Sequence, residues 1–300
     1  MIKVPTPLQQ LHHPLLESKK LVIYVKRDDL THPEIMGNKW RKLKYNLEQA
    51  HMLGKKKLIT MGGAYSNHIA ATAAAAHESK LEAVGIIRGE ELNPDSNPTL
   101  KFATKKNMQL RFVDRNEFRT LRKRPQVITG SNPDAYFLPE GGTNQLAIKG
   151  CREIVKEIKD DFDVIVCPIG TGGTFCGLVD ALLPHQKAIG FSSLKGEFIR
   201  NEVKNLMDRY GIDDQNCTIN TSYHFGGYGK TTEELIGFID WFKEYFKIQL
   251  DPIYTGKCFF GVWDMVKKNK FEKNLRIILL HTGGIQGIEG FNLKNQHIIQ

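Results

Sequence analysis

The sequence of 300 residues lacks long apolar runs, paired cysteine motifs and a secretory leader pattern. No stretch approaches the roughly 20 apolar residues of a membrane span, so we expect no association with a membrane. The five cysteines are an odd number and contain no Cys-x-x-Cys pair, which argues against a disulfide framework and a structural zinc site. Residues 1–5 also lack the apolar segment of a secretory signal. These absences favour a cytoplasmic protein with reduced thiols and no bound metal.

The pattern of a nucleic-acid-binding surface is missing as well, although the formal net charge is +9. Such surfaces interleave basic residues with aromatic ones. The basic runs at residues 55–57 and 119–124 are short, and neither contains interleaved aromatics. The charge can attract small anionic ligands, or it can simply keep the protein soluble. We therefore expect no nucleic-acid partner.

Apolar β-branched runs alternate with helical patterns from end to end of the chain. Strands are predicted at residues 21–25, 58–61, 83–87, 164–167, 188–191 and 276–280. Helices are predicted at residues 40–53, 67–79, 97–107, 146–159, 173–183, 197–210 and 232–245. This alternation indicates an α/β protein in which helices cover both faces of a parallel sheet. The length favours two domains, and residues 116–134 form the least regular region.

A lysine amine can be presented at a backbone turn by residues 37–42, which read Gly-Asn-Lys-Trp-Arg-Lys. A free lysine is a poor nucleophile at neutral pH, because its ordinary pKa is about 10.4. Burial or neighbouring cations favour the neutral amine, which can form a Schiff base with an aldehyde cofactor. Arg41 and Lys42 are such neighbours of Lys39. The alternative is a solvated basic face of a helix.

Four predicted strand ends open into turns of small residues that precede helices. These turns are residues 60–68, 139–144, 170–174 and 281–284. In open parallel sheets, ligands bind at this place. In the first turn, Ser66 or Asn67 can cap the following helix, and the free N–H groups there attract a carboxylate or a phosphate.

The turn at residues 170–174, Gly-Thr-Gly-Gly-Thr, suits either a phosphate or a tight strand-to-helix connection. It is neither a Walker loop nor a Gly-x-Gly-x-x-Gly fingerprint, and the chain has no Gly-x-Ser-x-Gly nucleophile elbow. Two further turns, at residues 226–229 and 251–257, contain Tyr228 and Tyr254. A tyrosine at a turn is in the simplest case a half-buried aromatic.

Together these segments, from Lys-Arg-Asp-Asp-Leu at residues 26–30 to residues 281–284, resemble one family of enzymes. They are similar to the pyridoxal-phosphate enzymes of the tryptophan synthase β-like fold (fold type II), in the branch of 1-aminocyclopropane-1-carboxylate deaminase and D-cysteine desulfhydrase. Met36 departs from the glycine that is usual there. The resemblance implies a large domain at residues 1–42 and 149–300, a small domain at 43–148, a small amino-acid substrate and a homodimer.

The same resemblance assigns roles to residues at the lysine segment and the first glycine turn. Lys39 would be the Schiff-base lysine, and Lys42 would contact the phosphate of pyridoxal 5'-phosphate. Asn67 would hydrogen-bond the phenolic oxygen of the cofactor. Ser66, Asn67 and His68 would receive the substrate carboxylate.

The remaining roles fall on the later turns. The phosphate would be held by Gly170, Thr171, Gly172, Gly173 and Thr174. Tyr228 and Tyr254 would flank the ring and the substrate, and they belong with Lys39 and Ser66 to the predicted catalytic residues. Thr255 and Thr282 would lie near the pyridine nitrogen.

Those two threonines bear on the reaction. The deaminases of the family have Glu at the position of Thr255 and tend to have Leu at that of Thr282. A carboxylate keeps the pyridine nitrogen protonated, whereas a neutral hydroxyl leaves a weaker electron sink. We therefore predict α,β-elimination from D-cysteine or a related D-amino acid, with Lys39 as the base at Cα and with pyruvate, ammonia and sulfide as products.

Three alternatives remain open. One is 1-aminocyclopropane-1-carboxylate deaminase activity, which gives 2-oxobutyrate and ammonia. Another is a substrate with an anionic side group that Lys230 attracts. The third, from a different class, is a catalytically silent regulatory protein that binds pyridoxal phosphate, and the intact Lys39 argues against it.

Overall fold

The computed structural model describes residues 1–130, 132–295 and residue 299, which form two β-sheets covered by helices. The described strands are β1 (Leu8–Leu11), β2 (Val22–Lys26), β3 (Lys57–Gly63), β4 (Glu82–Arg88), β5 (Met108–Val113), β6 (Ala135–Leu138), β7 (Val164–Ile169), β8 (Lys187–Ser192), β9 (Cys217–Asn220) and β10 (Arg276–Leu280). The described α-helices are α1 (Pro14–Lys19), α2 (Asn38–Met52), α3 (Asn67–Glu78), α4 (Pro98–Lys105), α5 (Arg115–Lys123), α6 (Gln126–Gly130), α7 (Gln145–Lys156), α8 (Gly173–Val179), α9 (Phe198–Tyr210), α10 (Glu233–Phe246), α11 (Thr255–Lys267) and α12 (Gly287–Asn295).

Both sheets are built mainly from parallel strands. The six-stranded sheet has the order β1-β2-β10-β7-β8-β9, and only the pair β1–β2 is antiparallel. The four-stranded sheet has the order β5-β4-β3-β6 and is parallel throughout. This architecture confirms the predicted α/β class with parallel-rich sheets. The predicted domain bounds stay a prediction. One of them, between residues 42 and 43, falls inside α2.

Helices cover the six-stranded sheet on both faces, as continuous apolar strands require. All six residues of β7 are buried. One core cluster packs the sheet against α10 and α11 through residues such as Phe242 and Val262. The other packs it against α7, α8 and α9 through Ile154, Cys176 and Val203. Among the described residues, no helix is both long and apolar enough to cross a membrane.

The four-stranded sheet is covered by the alanine-rich α3 on one side and by α5 and α6 on the other. Residues 69–76 of α3 are all buried, because small side chains let the helix lie close to its neighbours. The expectation that residues 116–134 are the least regular was wrong for the described part of that range, residues 116–130 and 132–134, while residue 131 lies outside the described residues. Asp114 caps α5, and Phe118, Leu121 and Ile128 bury the apolar side of α5 and α6. The many basic residues of this segment hide its short apolar stripe in the sequence.

A buried ionic network fixes the beginning of α2. The guanidinium of Arg41 donates to both carboxylate oxygens of Asp28 and to those of Glu157, to which Lys26 also donates. Gly150 of α7 lies against the main-chain carbonyl of Arg41, where a Cβ atom would overlap it. Removing one partner from such a network typically costs about 3–5 kcal/mol, because it leaves an uncompensated buried charge. The network therefore holds the helix turn that presents Lys39 and Lys42.

Candidate active site

Lys39 lies in the first turn of α2, directly after a tight turn at Gly37. Gly37 has φ +65°, and a Cβ atom there would overlap the carbonyl oxygen of Thr282 and lie 2.8 Å from Gly283 N. Only glycine allows this approach of the two chain segments. Met36 is buried against Gly283, so the departure from the family's glycine is accommodated beside the turn.

A short chain of hydrogen bonds orients the lysine amine. Lys39 Nζ donates to Asn38 Oδ1 at 2.8 Å, and Asn38 Nδ2 donates to Thr174 Oγ1 at 2.9 Å. The main-chain N–H of Asn38 donates to the carbonyl of Thr282. The amine is thereby tied to the start of α8 and to the end of β10.

The electrostatic surroundings of Lys39 favour its neutral form. Burial lowers the pKa of the amine to about 7, the positive charge of Lys42 lowers it as well, and Cys151 and Asp251 oppose the shift. About half of the amine is therefore neutral, and available as a nucleophile and base, at pH 7. The expected contribution of Arg41 was wrong, because its guanidinium is paired with Asp28 and Glu157 instead.

Lys42 joins the turn that follows β6 to the turn that follows β7. Its Nζ donates to the carbonyl of Gly141 at 2.9 Å and to the hydroxyls of Thr143 at 3.1 Å and Thr171 at 3.3 Å. Burial lowers the pKa of this amine too. The two sheets therefore meet at a positively charged point beside the Gly-Thr-Gly-Gly-Thr turn.

That turn leads into α8 with its backbone close to neighbouring chain segments. Gly172 has φ +81°, and a Cβ atom at Gly173 would lie 2.8 Å from the side chain of Thr143. A Cβ atom at Gly170 would lie 3.1 Å from the ring of Tyr254. The first N–H groups of a helix have no acceptor within the helix, and they attract anions. Together with Lys42, the start of α8 is suited to a phosphate.

Ser66 and Asn67 lie at the start of α3. Ser66 Oγ accepts from the N–H of Ile69 at 3.3 Å, as expected of a helix cap. Asn67 Oδ1 accepts from Gln286 at 3.1 Å, and a Cβ atom at Gly284 would lie 3.0 Å from Asn67 Nδ2. The first glycine turn thus meets the one after β10.

The side chain of His68 is packed rather than open. It is buried, its Nε2 shares a hydrogen bond with Thr60 Oγ1 at 2.8 Å, and its Nδ1 lies 3.5 Å from Thr72 Oγ1. Burial lowers the pKa of the imidazole well below its ordinary value, and the charges of Lys39 and Lys42 add to this. The ring is therefore neutral, and a carboxylate at this helix start would meet the main-chain N–H of His68.

Tyr228 and Tyr254 form a pair at the site. Their ring centroids are 6.0 Å apart at an interplanar angle of 67°, so the two rings pack edge to face. Burial raises the pKa of the Tyr254 phenol well above its ordinary value. The pKa of Tyr228 is also raised, because its phenol loses part of its hydration beside Tyr254 although the residue as a whole is 49% exposed. Both hydroxyls therefore carry their protons at neutral pH.

The sequence reasoning missed Asp251, a buried carboxylate next to the site. It accepts hydrogen bonds from the main-chain N–H groups of Ile253, Tyr254 and Thr255 and from the Thr255 hydroxyl at 2.6 Å. A Cβ atom at Gly284 would lie 3.4 Å from Asp251 Oδ2. Aspartate followed by proline favours the start of a turn, and an aspartate carboxylate typically accepts from the N–H two residues on, as Asp251 does from Ile253. That pattern is the sequence signal that points to Asp251.

The two threonines that bear on the reaction, Thr255 and Thr282, differ in the hydrogen bonds that their hydroxyls make. The hydroxyl of Thr255 is fully buried, donates to Asp251 and accepts from the Asp251 N–H at 2.9 Å. Thr282, at the end of β10, enters the described hydrogen bonds through its main-chain carbonyl. Its hydroxyl is therefore the more available of the two.

Comparison with known proteins identifies the family. A family model described as pyridoxal-phosphate-dependent enzyme matches residues 2–283. The chain belongs to this family. A relative of this pyridoxal-phosphate-dependent enzyme in Pyrococcus abyssi, provisionally named a 1-aminocyclopropane-1-carboxylate deaminase, is 32% identical over 309 residues, covering 96% of this chain and 92% of the relative. The D-cysteine desulfhydrase of Klebsiella pneumoniae is 29% identical over 316 residues, covering 97% and 95%.

A solved structure shares the fold of this enzyme. The crystal structure of a protein described as an ACC deaminase homologue superposes with a TM-score of 0.84 at 30% identity, covering 98% of this chain and 93% of that one. This likeness agrees with the family membership and with the fold type expected from the motifs.

The residues of this pyridoxal-phosphate-dependent enzyme fit its cofactor. The aldehyde of the cofactor reacts with a neutral amine, and Lys39 has a pKa of about 7. Its phosphate requires N–H donors and positive charge, and the start of α8 lies beside Lys42. Side chains are absent at Gly172 and Gly173, where the backbone is closely approached. Lys39 therefore suits the aldehyde of the cofactor, and Lys42 with the start of α8 suits its phosphate.

Proposed function

We propose that this enzyme catalyses α,β-elimination from D-cysteine or a closely related D-amino acid, with release of pyruvate, ammonia and sulfide. The observation that carries the proposal is the pair of threonines at residues 255 and 282. Both are neutral, and the Thr255 hydroxyl is bound to Asp251. A hydroxyl at the pyridine nitrogen leaves that nitrogen unprotonated, and the weaker electron sink still suffices for a good leaving group.

Lys39 has the central role in the proposed reaction. The cofactor, when bound, supplies an electron sink for the negative charge that develops at the substrate's α-carbon. The amine of Lys39 takes the proton from that carbon, for which its pKa of about 7 is well matched. Lys42 and the start of α8 hold the phosphate, so that the ring stays within reach of the lysine.

The other residues orient the substrate and handle the leaving group. The Ser66 hydroxyl and the N–H groups of Asn67 and His68 bind the substrate carboxylate at the start of α3. Tyr228 and Tyr254, whose phenols keep their protons, flank the side group of the substrate. A phenol in this place can donate a proton to the departing thiolate.

The second candidate is 1-aminocyclopropane-1-carboxylate deaminase activity. The name of the Pyrococcus abyssi relative supports it, whereas the name of the Klebsiella pneumoniae relative supports elimination from D-cysteine. The threonine at residue 255, in place of the carboxylate expected for a deaminase, favours elimination.

The test is a substrate comparison with purified holoenzyme. D-cysteine, L-cysteine, β-chloro-D-alanine and the cyclopropane acid are assayed for pyruvate, 2-oxobutyrate and sulfide. We expect sulfide and pyruvate from D-cysteine and pyruvate from β-chloro-D-alanine. Efficient 2-oxobutyrate formation without sulfide would contradict the proposal and support the second candidate.

We also propose that the enzyme works as a homodimer in the cytoplasm. The family resemblance supports the dimer, and the five free cysteines support a reducing compartment. Sedimentation equilibrium tests the dimer directly, because a monomeric holoenzyme would contradict it.

A further inference from the structure

Lys257 is a buried lysine to which the proposed reaction gives no role. It lies in the first turn of α11 and is 1% exposed. Its Nζ donates to the main-chain carbonyls of His224 at 2.9 Å and Gly227 at 2.7 Å. Burial lowers its pKa to about 8, against the influence of Asp251. A buried amine is costly unless it is hydrogen-bonded, and these two carbonyls are its partners.

The two carbonyls belong to residues 224–230, which we call the tyrosine loop because it carries Tyr228. Gly227 N–H donates to the His224 carbonyl at 3.0 Å, and Lys230 N–H donates to the Gly227 carbonyl at 3.1 Å. The carbonyl oxygens that accept from Lys257 are therefore the same two oxygens whose main-chain hydrogen bonds form two consecutive turns. Positive φ angles occur at Phe225, Gly226, Gly227 and Gly229. This backbone is neither helix nor strand, so it lacks their repeated hydrogen bonds. Lys257 therefore contributes a hydrogen bond to each of the two turns.

Helix α11 also positions Tyr254, the ring that packs against Tyr228, close to Lys257. Tyr254 directly precedes the helix, and Lys257 follows three residues later, so both lie on one side of the helix start. One turn further, Phe260 packs edge-on against Phe225 of the tyrosine loop, with centroids 5.0 Å apart. The helix therefore holds the loop at two points while it presents Tyr254 to Tyr228.

We propose that Lys257 is a positioning residue that fixes Tyr228 against Tyr254 and thereby shapes the substrate side of the active site. Lys257 acts through the loop and does not contact the substrate. The inference rests on the proposed function in that the tyrosine pair is taken to flank the substrate. Loss of the amine releases both carbonyls, so Tyr228 no longer keeps its place, whereas the attachment of the cofactor to Lys39 is unaffected.

The test combines hydrogen exchange with a double-mutant cycle in the holoenzyme. The variants are K257M, Y228F and the double variant, and K267M at the exposed far end of α11 is the matched control. In K257M we expect faster amide exchange confined to the tyrosine loop and unchanged visible absorbance of the bound cofactor. With D-cysteine we expect kcat/KM to fall about 10- to 100-fold, the scale of hydrogen bonds to a charged group.

The cycle separates positioning from a general loss of stability. If Lys257 acts through Tyr228, the double variant is within about twofold of Y228F, because coupled residues are not additive. The proposal would be overturned if the kcat/KM losses of K257M and Y228F multiply in the double variant. It would also be overturned if amide exchange in the tyrosine loop of K257M equals that of K267M. If K257M unfolds, K257Q keeps a donor for one carbonyl and takes its place in the same cycle. If the wild type turns over none of the substrates, the proposed function fails, and hydrogen exchange alone still decides whether Lys257 anchors the loop.

Discussion

The turn before α2 offers a sharp test of how the chain presents Lys39. In Gly37→Ala, the new methyl group would overlap the carbonyl oxygen of Thr282 on a backbone with φ +65°. Backbone strain of this kind costs about 1–3 kcal/mol, and an overpacked contact costs about 1–3 kcal/mol more. The overlap cannot be relieved by a flexible side chain, because the obstructing atoms belong to the main chain. The start of α2 must therefore move away from β10.

Gly54→Ala is the matched control at the other end of the same helix. Gly54 has φ +63°, and a Cβ atom there meets nothing within 4 Å. This variant isolates the strain of the backbone, at about 1–2 kcal/mol. Thermal unfolding of both holoenzymes measures the difference, which we expect to be roughly 2–6 °C at about 2 °C for each kcal/mol in a chain of this size. Equal midpoints with equal activity would refute the close approach of the two turns and the placement of Lys39 derived from it.

Two further predictions concern the charges around Lys39. In Lys42→Met the positive charge that helps lower the pKa of Lys39 is lost, so the pH midpoint for reductive methylation of Lys39 in the apoenzyme should rise above about 7. In Asp251→Asn a charge that opposes the shift is lost, so the same midpoint should fall, and the weakened hydrogen bond from the Thr255 N–H should cost about 1 kcal/mol of stability. Mass spectrometry of the peptide that contains residue 39 follows both midpoints; shifts of the same sign would contradict the assignment.

The strands that could be predicted from sequence are those with a neighbouring strand on each side, whereas five of the described α-helices, α1, α5, α6, α11 and α12, were missed. The six predicted strands match β2, β3, β4, β7, β8 and β10, and the seven predicted helices match α2, α3, α4, α7, α8, α9 and α10. The four missed strands, β1, β5, β6 and β9, are the edges of the two sheets. An edge strand has one neighbour, so its sequence can be short or polar, as the Leu-Gln-Gln-Leu of β1 shows.

In the active site too, some features could be predicted from the sequence and others could not. The spacing of Lys39 and Lys42 and the glycine turns are local signals, and these segments do meet in the structure. The engagement of the Thr255 hydroxyl and the pairing of Arg41 depend on side-chain directions that local patterns leave open. The anchoring by Lys257 joins segments some 30 residues apart and needs the tertiary fold. The roles given to the individual site residues remain predictions.

Reduction of the holoenzyme with borohydride, followed by peptide mapping, tests the central claim most directly. The claim is that the amine of Lys39 bonds to the cofactor, since burial and Lys42 lower its pKa to about 7 and so make the neutral form available at neutral pH. We expect the reduced cofactor on the peptide that contains Lys39, and we expect Lys39→Ala to lose both the label and the visible absorbance. The control Lys44→Ala, on the same helix and paired with Glu153, should keep both. A label on Lys42, on Lys257 or on any other lysine of the wild type would contradict the account.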